Sequence, residues 1–103
     1  MDEVKLKLDQ RGQGSFYITD GVEQIGEMVV SIGGANLTVY HTEVAAKAEG
    51  KGLASKMLSA MVDYVRKHEL KVIALCPFVH AQFRRHPETY ADIWNREAEM
   101  EDD

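Results

Sequence analysis

His41 and Glu43 stand two residues apart in the run LTVYHTEV, and Cys76 is followed directly by Pro77 in KVIALCPF. Histidine titrates near neutrality, so His41 is suited to take a proton from an attacking group. Glu43 could serve the same purpose. Read as regular strand, residues 37–44 place His41 and Glu43 on one face with Leu37 and Val39, because side chains alternate with period two. Cys76 could protonate a leaving group, relay a proton, or carry a group covalently with help from a base. The competing reading is a small buried apolar residue. Between them lies Glu49-Gly50-Lys51-Gly52-Leu53-Ala54. A helix start leaves main-chain N–H groups unpaired and partly positive, and glycines let that backbone come close to a phosphate or diphosphate.

The elements that hold these groups are read from periodicity. Residues 3–9, 15–19, 24–32 and 37–44 alternate or are β-rich and are separated by Arg11-Gly12-Gln13-Gly14, Asp20-Gly21 and Gly33-Gly34-Ala35-Asn36. Three consecutive hairpins predict an antiparallel meander. From Leu53 to His68 the period becomes helical, with Ala54, Met57, Leu58, Met61, Val62 and Val65 as an apolar stripe. Residues 71–75 are a short buried strand, and strand–helix–strand predicts a crossover to a parallel partner. Pro77 ends that strand; short helices are predicted over 79–85 and 88–95, with Tyr90, Ile93 and Trp94 packing back.

A chain of 103 residues with net charge −5 and one cysteine bounds the class. It makes one domain without an internal disulfide, as suits a reducing cytoplasm. Negative charge argues against direct nucleic-acid binding, no apolar run is long enough for a membrane span, and a cationic substrate such as an amine is favoured. Glu97, Glu99, Glu101, Asp102 and Asp103 read as a frayed, solvated tail over 97–103, leaving 1–96 as the domain. His41, His68, His80 and His86 lack ligand spacing, so no metal is expected.

Phosphate-binding motifs can be tested on the glycine turn. G-x-x-x-x-G-K-[ST] is absent, and Gly50-x-Gly52 is followed at the third position by Ser55 instead of glycine. The turn resembles the [Q/R]-x-x-G-x-[G/A] loop of the GNAT superfamily of N-acetyltransferases, matching at Gly52 and Ala54 and departing at Glu49. HTEV, EGKGLASKML, VIALCPFV and ETYADI follow in order over residues 37–94 and look like the very short single-domain branch of that superfamily.

The resemblance implies an α/β (α+β) fold: a mixed, mostly antiparallel sheet whose fourth and fifth strands splay apart, with one main helix between them. It implies acetyl-CoA as cosubstrate, held at its diphosphate by main-chain N–H groups from Gly50 to Ala54, with Glu49, Lys51 and Ser55 alongside and its acyl oxygen met by the Val44 N–H. Leu53 contributes backbone there. The turn after the fifth strand places Cys76 and Phe78 at the cofactor. Phe83 would pack inward and line the cofactor site, and Arg84 or Arg85 reach for phosphate. The implied reaction is acetyl transfer to a primary amine by direct attack on the thioester, with His41, Glu43 and Cys76 as candidate acid–base residues. The acceptor would be a protein lysine or N-terminus, or a polyamine, and the chain a monomer or weak dimer. A coenzyme A-binding module without catalysis is the alternative.

Overall fold

Alternating apolar residues build the sheet. The computed structural model describes residues 3–100, in which Lys5–Leu8 (β1), Gln13–Asp20 (β2), Glu23–Gly33 (β3) and Asn36–Val44 (β4) form successive antiparallel hairpins. Lys71–Ala74 (β5) pairs in parallel with β4, giving a five-stranded sheet in sequence order. A parallel neighbour needs a crossover, supplied by Leu53–Lys67 (α1). Helix α1 buries Leu53, Met57, Leu58, Met61, Val62 and Val65 in one core with Phe16, Ile18, Met28, Val30, Leu37 and Val39 of the sheet. The mixed, mostly antiparallel sheet with one main helix is therefore the observed fold.

Beyond β5 come Pro77–Arg85 (α2), Pro87–Tyr90 (α3) and Arg96–Met100 (α4). The helix predicted over 88–95 is cut to a single turn. The outer edge of β5 carries main-chain groups that need partners, and the chain after Tyr90 returns to supply them. The Val72 N–H donates to Ile93 O at 2.6 Å, and the Asn95 N–H donates to Val72 O at 2.8 Å. Glu99 completes the cover, its Oε2 accepting from the Ala74 N–H at 2.7 Å and from Trp94 Nε1–H at 2.8 Å. The expected solvated tail is corrected at this residue, whose side chain is only 11% exposed; Glu101, Asp102 and Asp103 lie outside the described residues. Among the described residues, no helix is long and apolar enough to cross a membrane.

Candidate active site

The register of β4 shifts where the chemistry was expected. Val29 pairs with His41 but Val30 pairs with Val39, so Tyr40 is an extra residue, a β-bulge. One inserted residue exchanges the two faces of a strand. Thr42 and Val44, opposite Met28 and Gly26, now continue the buried face, while His41 and Glu43 turn to the face away from α1. The expectation that His41 and Glu43 share a face with Leu37 and Val39 is corrected. The two do share a face with each other: His41 Nε2 lies 3.8 Å from Glu43 Oε2, with side chains 52% and 75% exposed. A signal existed in the sequence, since apolar positions move from odd numbers (Leu37, Val39) to an even one (Val44).

Strands β4 and β5 part just beyond their last paired residues, Val39 and Ala74. The N–H groups of Leu75 and Cys76 both close on Val39 O, at 3.0 and 2.9 Å, and Pro77 then starts α2. Strand β4 runs on to Val44. The Ala45 N–H donates to Ile25 O at 2.9 Å. N–H directions alternate along an antiparallel strand, so the Val44 N–H faces the split. Cys76 is 1% exposed, and its Sγ lies 3.3 Å from Thr42 Oγ1. Thr42 escaped the sequence reading because regular alternation puts it on the opposite face.

The chain reaches α1 through a 3-10 turn, Ala46–Ala48. Lys47 on that turn is bonded to Glu23, which raises the Lys47 pKa mainly through this hydrogen bond. Glu49 points its side chain to solvent and donates its N–H to Ala46 O at 3.3 Å. Gly50 and Gly52 then adopt φ of 84° and 75°, a region that costs other L-residues about 1–2 kcal/mol. A Cβ on either would meet nothing within 4 Å, so this backbone faces open space. Gly52 caps α1 without a side chain, no acidic residue occupies the first turn, and the first helical bond runs from the Lys56 N–H to Gly52 O at 3.1 Å. The N–H groups of Leu53, Ala54 and Ser55 thus precede the helical ladder and carry its partial positive charge. An uncapped, approachable helix start fits the diphosphate of an acyl-CoA. Leu53 offers only backbone, its side chain being 2% exposed; Lys51 and Ser55 are exposed.

Helix α2 separates the remaining expectations. Phe78, in its first turn, is half-buried against the core. Phe83 is fully buried, stacked on Tyr90 at 4.6 Å and edge-on to Trp94 at 5.5 Å. Its expected place against a cofactor is corrected: the ring is core. Arg84 lies in the last turn, roughly 10 Å along the helix from Pro77, where it lines a surface depression with Ala81 and Arg85. Where the start of β3 meets the end of β4, a pocket of about 190 Å³ is lined by Gln24, Ile25, Gly26, Glu27, Glu43, Val44 and Ala45. Among the described residues, no group of three or more His, Cys, Asp or Glu side chains could hold a metal.

A family model described as GCN5-related N-acetyl-transferase matches residues 15–93. A search of curated protein sequences finds no match. Among solved structures, the chain is similar to a GCN5-like N-acetyltransferase candidate from Staphylococcus aureus, with 26% identity, TM-score 0.65, and coverage of 91% of this chain and 90% of that one. It is similar to nourseothricin acetyltransferase at 25% identity and TM-score 0.55, covering 78% of this chain and 52% of that one. The ribosomal-protein-S18-alanine N-acetyltransferase from Escherichia coli shares the fold, at 15% identity and TM-score 0.57, with coverage of 64% of this chain and 43% of that one. The chain thus spans about half the length, or less, of the latter two enzymes.

Proposed function

This chain belongs to the GCN5-related N-acetyltransferase family, and from that membership we propose that it moves an acetyl group from acetyl-CoA to a primary amine by direct attack on the thioester. One observation carries the reading: an uncapped helix start at Gly52, open to approach, follows a strand whose last N–H, at Val44, faces the split between β4 and β5. Acetyl-CoA, when bound, supplies an acyl carbon already activated as a thioester. Main-chain N–H groups from Gly50 to Ser55 hold the diphosphate, with Lys51 adding charge. The Val44 N–H meets the acyl oxygen as it gains negative charge.

The acceptor approaches from the face away from α1, where His41 and Glu43 stand. Its N–C bond forms as the C–S bond breaks. The proton leaves the nitrogen for His41, Glu43 or water, a necessary loss because a lysine-like amine has a pKa of about 10.4. Cys76 is assigned as proton donor to the departing thiolate, through the Thr42 hydroxyl beside it. The open rim suits a protein lysine or N-terminus, or a polyamine, in a reducing compartment where Cys76 stays free.

The burial of Cys76 favours a second reading, a coenzyme A-binding module without catalysis. Calorimetry with acetyl-CoA and coenzyme A, followed by transfer of labelled acetyl to lysine peptides, separates the two. Transfer that is lost in Gly52→Val supports the enzyme. Tight binding without transfer supports the module, and no binding overturns both.

A further inference from the structure

Large apolar side chains are seldom exposed in this protein: among the described residues they are Leu8, Val22, Tyr40 and Leu75. Leu8 ends β1 and Val22 sits in the turn between β2 and β3, and scattered single residues of this kind are ordinary on a surface. Tyr40 and Leu75 differ, because they directly follow Val39 and Ala74, the last paired residues, where β4 and β5 separate. Tyr40 is the bulged residue, and the Leu75 N–H donates at 3.0 Å to the carbonyl of Val39, the residue just before it. They are 43% and 47% exposed. The Tyr40 hydroxyl lies 2.7 Å from Ser31 Oγ on β3, so the ring leans over the β3 side of β4, on the sheet face away from α1. His41 and Glu43 follow on the same face, and Glu27 pairs directly opposite Glu43. Two carboxylates facing each other across a ladder repel, and a cation relieves that.

We propose that Tyr40 and Leu75 form an apolar collar that grips the unbranched aliphatic stem of a cationic primary amine and thereby selects the acceptor. The proposal rests on the acetyl-transfer reading. At about 3.3 Å per strand residue, His41 and Glu43 stand roughly 3–10 Å along β4 from the collar, the reach of a stem of a few methylenes. The carboxylates attract the ammonium while the collar covers the methylenes. A short amine gains the first interaction alone.

The test is a series of methylamine, propylamine and pentylamine, nearly equal in basicity, assayed for kcat/KM at saturating acetyl-CoA. Wild type should gain about two- to fourfold per added methylene, since each buried CH2 carries a comparable factor. Tyr40→Ser and Leu75→Ser should at least halve the logarithmic slope with stem length, leaving acetyl-CoA affinity, read by calorimetry, at the wild-type value. Tyr40→Phe, which keeps the ring, should keep the slope. A flat wild-type series, or an undiminished slope in both serine variants, overturns the collar while leaving acetyl transfer standing. Loss of acetyl-CoA binding in wild type brings down both.

Discussion

The Sγ of Cys76 and the Oγ1 of Thr42 are 3.3 Å apart, joining the two strands at the place where their main-chain pairing has ended. The contact exists because the Tyr40 bulge turns Thr42 inward and because Pro77 carries the chain from Cys76 directly into α2. It gives a buried thiol a polar neighbour that borders the split. Cys76→Ala should lower kcat about a hundredfold or more, the range for a lost proton donor, and leave acetyl-CoA affinity near wild type. Thr42→Val, equal in shape and lacking the hydroxyl, should do likewise. Steady-state kinetics with calorimetry checks both, and unchanged turnover in Cys76→Ala removes the thiol from the chemistry.

Gly52 holds φ at 75° with open space where a Cβ would sit. The cost of Gly52→Ala is therefore backbone strain alone, about 1–2 kcal/mol. Denaturant melts should show that loss. Coenzyme A affinity should fall about tenfold or more as the helix start shifts, whereas Ser59→Ala on the exposed side of α1 should change neither.

Much of this architecture is written in the residues. Alternation in β1–β4 and the stripe from Met57 to Val65 each bury one face, and burial leaves little choice of register. The bulge is a local event, so the rule that located β4 also misplaced His41 and Glu43 relative to Leu37 and Val39. The apolar switch to Val44 was the only trace of it. Phe83 and Glu99 were misread for a different reason. Their partners, Tyr90 with Trp94 and Ala74 with Trp94, are set by how the last segment folds back on β5, and an isolated aromatic or acidic residue does not encode that return. The turn at Gly50–Gly52 was legible because the positive φ at both positions favours glycine.

Glu99 stands in for a strand at the edge of β5. Glu99→Ala leaves the N–H of Ala74 and Nε1–H of Trp94 without their acceptor, and should cost about 1–3 kcal/mol in chemical denaturation. Glu99→Gln keeps a carbonyl oxygen and should lose clearly less. Equal losses would show that charge, and not acceptance of these two bonds, is what matters.

Arg66 fastens the same segment to α1, donating from Nε to Asp92 Oδ2 at 3.0 Å and from Nη2 to Asp92 Oδ1 at 3.1 Å. These hydrogen bonds hold the Asp92 carboxyl below its ordinary pKa. A depressed folded pKa contributes stability above the unfolded value of about 3.9, and that contribution is lost as pH falls through the folded value. The difference between wild type and Asp92→Asn should therefore be constant from pH 5 to 7, begin to shrink near the unfolded value of about 3.9, and vanish once the pH is below the folded value. Both side chains are about half exposed, so it should stay under about 1 kcal/mol and weaken with salt. Urea melts across this range check the sign.

Main-chain amides at the start of α1 are the centre of the account, and amide resonances report on them directly. Titrating the 15N-labelled protein with coenzyme A should shift Gly50, Lys51, Gly52, Leu53, Ala54 and Ser55 first and most, with Val44 responding further when acetyl-CoA is used. Saturating coenzyme A that leaves those resonances in place, or that moves only residues elsewhere, would contradict it.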